Sequence, residues 1–261
     1  QKADKTVRVT VGISGTGGGF QKFCRGEIDI ADASRPISAT EIAACEQSGV
    51  GFIELPIAYD GIAIAVNPKN SWADTITVAE LKTLWAPDAQ GKVRTWNQVR
   101  EGWPNREIHL FGAGVDSGTY DYFTEVINGK AKASRGDFTS SEDDNVLVQG
   151  IGSDELALGF LPFAYFEENA AKLKLVAVDD GKGGGAVAPT PDTIEKGVYR
   201  PLSRPVFIYV SKQAAQRAEV QRFVEFFLKH ADTLVREVNY VSLGAAAYSS
   251  AADTFAKERA R

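Results

Sequence analysis

Short β-rich runs alternate with amphipathic helical stretches along nearly the whole chain, and no other feature constrains the fold as tightly. Strands that each hand over to a covering helix predict a mostly parallel sheet with helices packed on it, which is an α/β fold. Residues 7–13, 52–55, 61–66, 107–111, 157–161, 173–178 and 206–210 read as strands, with 29–31 a short extended run. Helices are expected through Phe20 and Phe23, through Ile42 and Cys45, through Leu81 and Leu84, and over 120–127, 145–150, 164–171 and 214–238. Ser38 with Glu41, and Thr77 with Glu80, have the spacing of capping boxes. In the long helix Val220, Phe223, Val224, Phe227, Leu228 and Leu234 recur at helical spacing, a stripe for core packing. Residues 181–185 form a glycine-rich surface loop, and the Ala- and Ser-rich segment beyond Ala245 reads as a terminal helix.

With 261 residues, 44% hydrophobic and 10% aromatic, the chain can bury a sizeable core in one large or two modest domains. A net charge of −5 argues against nucleic acid or anionic lipid as a partner, because both call for a basic face. Any bound anion must therefore be held by a local site. No run approaches the roughly 20 apolar residues of a membrane span. The longest candidate, 220–238, is broken by Glu225, Lys229, Asp232 and Arg236, so the chain reads as soluble. A start at Gln1 and the lack of methionine point to a removed leader or a fragment. Cys24 and Cys45 are too few for a metal cluster and too far apart for a redox CxxC pair. They are either an isolated disulfide of an oxidising compartment or two buried thiols.

The run SGTGGGF at 14–20 follows a predicted strand and opens a helix. Unpaired backbone N–H groups and the positive dipole end favour an anion at such a place, and glycines let it approach the backbone. The run lacks the P-loop lysine and does not fit the GxGxxG fingerprint, so on its own a tight strand-to-helix turn also explains it. A second run, GAGVDSGT at 112–119, again lies between strand and helix, with Ser117 a natural N-cap. Facing each other, the two entrances would offer many neutral donors to one tetrahedral anion.

The runs SGTGGGFQKFCRGEIDIADASRPI at 14–37, YDGIAIAVNP at 59–68, DSGTYDYF at 116–123, SEDDNVLVQGI at 141–151 and YRPLSRPVFIYV at 199–210 resemble the PstS family of phosphate-binding proteins. They occur in the family's order and cover nearly the whole chain. The resemblance implies a type II periplasmic-binding-protein fold, with two α/β lobes, a two-stranded hinge and a ligand cleft between the lobes. Lobe I would take 1–62 and 206–261, lobe II 63–205, and the crossing strands would fall near 60–66 and 201–208. The resemblance also implies high-affinity capture of inorganic phosphate in the periplasm or otherwise outside the cytoplasm, for delivery to the membrane permease of an ABC importer. It implies a monomer with no cofactor, no metal, no nucleic acid and no enzymatic activity, and it is compatible with a lipid-anchored precursor. Donors from the first turn fall on Thr16, Gly17 and Gly18, and the SGT triplet matches Ser117, Gly118 and Thr119.

The chain departs from the family's pattern in three places. Where some members carry an aspartate it has Ser34, with Arg35 beside it, and where some carry an arginine before SGT it has Ala113. Ser34 still donates, and Arg35 or Arg135 is the expected cation, each equally readable as a surface residue. Members also open with a further strand and an anion-contacting turn, whereas residues 1–5 read as the end of the helix that follows; the missing part is truncated or replaced. Phosphate usually carries a proton at neutral pH and sulfate does not, so a carboxylate acceptor would separate them. Asp60 is the candidate, with an Asp-Gly turn as its alternative; Asp116, Asp143 and Asp144 compete. Cys24 and Cys45 would join the first two helices of one lobe. Two other functions remain in view. One is a scavenger or adhesin without a transporter. The other is a phosphoester hydrolase, disfavoured because His109 and His230 are the only histidines and no GxSxG or HExxH occurs.

Overall fold

Two capping boxes anticipated from spacing start their helices in the computed structural model, which describes residues 7–12, 15–238 and 240–260. In chain order the first elements are α1 (Gly15–Cys24), β1 (Ile30–Ala33), α2 (Ala39–Gln47) and β2 (Phe52–Val66). Next come β3 (Thr75–Thr77), α3 (Val78–Trp85), β4 (His109–Ala113), α4 (Gly118–Asn128), β5 (Thr139–Ser141) and α5 (Asp144–Ser153). The rest are β6 (Ala157–Pro162), α6 (Phe163–Glu168), β7 (Lys174–Asp179), α7 (Pro191–Glu195), β8 (Ser203–Ser211), α8 (Ala218–Glu237) and α9 (Ala245–Arg259). The chain divides into two units, one of residues 1–60 with 204–261 and one of residues 61–203.

In the first unit β1 runs antiparallel to β8, from Ile30 opposite Val210 to Ala33 opposite Phe207, and β8 is hydrogen-bonded to β2. Alternation along the strands sends side chains to two helical layers. Ala31, Ala33, Phe207 and Tyr209 pack with Phe20, Phe23, Cys24 and Cys45 of α1 and α2. The opposite face packs Ile53, Leu55, Ile57, Val206 and Ile208 against α8 and α9 through Val224, Leu228, Val235, Ala251 and Phe255. Burying each large side chain of this kind contributes roughly 1.5–3 kcal/mol. A disulfide joins Cys24 of α1 to Cys45 of α2, and Tyr248 of α9 donates its hydroxyl to the Ile57 carbonyl at 2.9 Å.

In the second unit the C-terminal half of β2 pairs antiparallel with β6 on one side and β7 on the other. β4 lies parallel between β6 and β5, and β3 is parallel to β7. Phe160 stacks on Phe123 at 4.0 Å and meets Trp85 edge-on. Gly112 is fixed by this packing, since a Cβ there would come within 2.4 Å of the Phe160 ring.

Several expectations need correction. The sheet is mixed rather than mostly parallel, because β2 runs antiparallel to β6 and β7, and β8 to β1. No strand forms over 7–12, where Val9 and Val11 are exposed and have no face to bury; Ile13, Ser14 and the helix end expected at 1–5 lie outside the described residues. The segments 52–55 and 61–66 are one strand, so Asp60–Gly61 is not a turn. Gly61 is there for space, as its Cβ would fall 2.7 Å from Ile194. The helix expected to run to residue 171 ends at Glu168, where Asn169 turns its side-chain amide back to the Tyr165 carbonyl. The long helix starts at Ala218, after a 3-10 turn at Ala214–Gln216, and buries Val235 more deeply than Leu234.

Candidate functional site

In the first unit four side chains join into a continuous polar chain. Thr16 stands in the first turn of α1, Ser34 just past β1, Asp60 on β2 and Arg204 on β8. The Ser34 N–H donates to Thr16 Oγ1 at 3.2 Å, and the two hydroxyls lie 3.1 Å apart. Arg204 Nη1 donates to Ser34 Oγ at 2.9 Å, while its Nε and Nη2 both reach Asp60 Oδ2, at 3.2 and 3.1 Å. Asp60 is 4% exposed, and this guanidinium faces its buried carboxylate. Gly17 and Gly18 occupy the same first turn, half-buried, and a Cβ on Gly17 would meet only Arg35 Nη2 at 4.0 Å. A side-chain-free backbone, two hydroxyls, one cation and one acceptor thus sit within one unit.

The two arginines expected as the cation are placed differently. Arg35 forms a fork with Glu41, Nη1 to Oε2 at 2.9 Å and Nη2 to Oε1 at 2.8 Å. This pairing, helped by the Ser38 N–H, holds the Glu41 carboxyl at about 2 and ties Arg35 to the capping box of α2. Arg135 is buried in the second unit, where Nε and Nη2 bind Asp137 and Nη1 donates to the Leu84 and Val93 carbonyls, both at 3.0 Å. There it closes the end of α3, its own N–H donating to the Trp85 carbonyl at 3.1 Å. Among the described residues the cation that touches both Ser34 and Asp60 is Arg204, which is not one of the two expected from the sequence. Its signal was its position in YRPLSRPVFIYV, on the strand expected to return beside the one carrying Asp60.

In the second unit Ser117 caps α4, its Oγ accepting the Thr119 N–H at 3.2 Å, and Gly118 is the first helical residue. The Asp116 N–H donates to Glu142 Oε1 at 3.1 Å, and Gly114 makes room for that carboxylate, which a Cβ would approach to 1.9 Å. Asp143 caps α5 by accepting from the Asn145 N–H at 2.9 Å. Burial, then the charges of Asp143 and Glu142, push the Asp144 carboxyl up to about 6. His109 pairs with Asp154, and His230 lies beside the Phe226 ring. Among the described residues no group of His, Cys, Asp and Glu could hold a metal ion, and no helix is long and apolar enough to cross a membrane.

Residues 1–230 match a family described as the PBP superfamily domain. Protein SphX of Synechococcus elongatus is 51% identical over 255 residues, 98% of this chain and 75% of that protein. The phosphate-binding protein PstS of Staphylococcus saprophyticus is 37% identical over 245 residues, 93% of this chain and 73% of that protein. The crystal structure of a possible phosphate binding protein from Planctomyces limnophilus DSM 3776 superposes with a TM-score of 0.89 at 50% identity, covering 94% of this chain and 86% of that one.

Proposed function

Since this chain belongs to the PstS family of phosphate-binding proteins, we propose that it captures inorganic phosphate outside the cytoplasm and delivers it to the membrane permease of an ABC importer. The α/β fold is that of the family's periplasmic binding proteins. The observation that carries the proposal is the chain Thr16, Ser34, Arg204, Asp60. Arg204 and the hydroxyls draw the anion, with the N–H groups of the Gly17–Gly18 turn beside them. Asp60 accepts a hydrogen bond from the hydroxyl of the protonated phosphate. Sulfate would instead turn an unprotonated oxygen toward the same carboxylate and be repelled. On the strength of the SGT triplet, Ser117, Gly118 and Thr119 give further donors in this proposal. The protein acts as a binding protein rather than an enzyme, as a monomer, with no nucleic acid partner.

Calorimetry with phosphate, sulfate and arsenate tests this. Phosphate should bind tightly, arsenate should compete because its shape and protonation are alike, and sulfate should bind far more weakly. Equal affinity for phosphate and sulfate would reject the acceptor role of Asp60.

A further inference from the structure

The stretch between α8 and α9 carries Tyr240. Tyr59 and Val241 exchange both backbone hydrogen bonds, each at 2.8 Å, in an antiparallel bridge. One step further in that register, Tyr240 stands opposite Asp60. Residues so opposed in a pair next to a doubly hydrogen-bonded one project to the same side, with Cβ atoms about 4.5–5.5 Å apart. Tyr240 is anchored from behind as well, its N–H donating to the Val235 carbonyl at 3.1 Å and its ring packing on the α8 and α9 core. The phenol is thus rigid and half-buried, and it lies within electrostatic reach of Asp60, Arg204 and Asp32. Burial, followed by the Asp60 charge, raises its pKa, which keeps the hydroxyl protonated as a donor. Among the described residues no hydrogen bond engages that hydroxyl.

We propose that Tyr240 is a ligand-holding residue whose hydroxyl donates to the bound oxyanion next to Asp60 and Arg204. This rests on the reading of Thr16, Ser34, Arg204 and Asp60 as the phosphate site. A neutral donor suits the place, since it binds an oxygen of the anion without adding charge to a set that already pairs one cation with one carboxylate. A preformed aromatic anchor also loses little side-chain freedom on binding.

The test compares phosphate calorimetry on the wild type, Tyr240→Phe and Arg204→Gln, with thermal melting of all three. Tyr240→Phe keeps the ring and its packing and removes only the hydroxyl. Its phosphate affinity should fall about ten- to a hundredfold, the effect of losing a hydrogen bond to a charged group. Phosphate should also perturb a tyrosine near-UV difference band in the wild type that is lost in Tyr240→Phe. Affinity within twofold of wild type in Tyr240→Phe, with Arg204→Gln strongly weakened, overturns the role of Tyr240 alone. Unchanged affinity in both variants overturns the site itself. If Tyr240→Phe melts early, titration below its melting temperature still reads the affinity.

Discussion

Replacing Arg204 by alanine should damage stability and binding for different reasons, and the two can be separated. Among the described residues the guanidinium makes two contacts to Asp60 Oδ2 and one to Ser34. Removing one partner of a buried ion pair costs about 3–5 kcal/mol, because the other charge stays buried. The Arg204 side chain is 19% exposed and that of Asp60 6%, so water that enters in place of the guanidinium compensates part of this and the lower end, about 3 kcal/mol, is expected. Phosphate affinity should fall by at least ten- to a hundredfold, the range for one charge-assisted hydrogen bond. Adding Asp60→Asn to Arg204→Ala removes the stranded charge while keeping a carbonyl acceptor. The double variant should therefore regain most of the stability and little of the affinity. Chemical denaturation and calorimetry on both single variants and the double variant complete the cycle. If the double variant binds phosphate within threefold of wild type, Arg204 serves only to neutralise Asp60 and does not hold the anion.

Other outcomes follow from the same geometry. Arg135→Met should cost about 1–3 kcal/mol of stability, read by denaturation, by leaving the Leu84 and Val93 carbonyls without their donor while the exposed Asp137 turns to water, and should leave phosphate affinity intact; a large loss of affinity at full stability would return Arg135 to the site. Ser117→Ala should weaken phosphate binding about ten- to a hundredfold, whereas a purely capping serine would lose about 1 kcal/mol of stability and no affinity. The Cys24–Cys45 bridge, with a sequence separation of 21, should be intact in protein from its natural compartment and contribute about 3 kcal/mol in the chain-entropy model. Two free thiols by mass spectrometry would contradict this. Glu41, lowered by Arg35 from 4.5 to about 2, and Asp137, lowered by Arg135 from 3.8 to about 2, are depressed in the folded state. Their stabilisation is complete above about pH 4.5 and lost as pH falls toward 2, so Glu41→Gln should flatten the acid limb of a stability-against-pH curve.

What was legible in the sequence was local. Ser38 with Glu41 and Thr77 with Glu80 could be read because a capping box closes within four residues. The unity of β2 was hidden because Pro56 and Asp60–Gly61 look like breaks. In the folded chain Pro56 is exposed, Asp60 is buried with Arg204, and Gly61 yields space to Ile194. The choice among arginines could not be local at all. Arg35 and Arg135 lie near the motifs, yet one has a carboxylate six residues away and the other two residues away, and each is drawn into that short pair. Arg204 has no such neighbour in its own segment, and its partners come from β2 and from the end of β1.

In the proposed site, the placement of Arg204 bears on two of the three departures. Where the family resemblance leads one to expect an arginine before the SGT triplet, Ala113 is buried on β4 and supplies no charge. Where it leads one to expect an aspartate in the first unit, Ser34 accepts a hydrogen bond from Arg204 instead. Had the carboxylate been kept at position 34, Arg204 would have faced two carboxylates, and an incoming anion would have met a net negative set. With serine there, the guanidinium pairs with Asp60 and holds Ser34, so in the proposed site one positive group would serve both the acceptor and the ligand. Ser34→Asp should accordingly abolish phosphate binding while leaving the fold intact, since the new carboxylate gains Arg204 as its partner. Retained affinity in that variant, measured by calorimetry at neutral pH, would show that the charge of this set does not govern the anion.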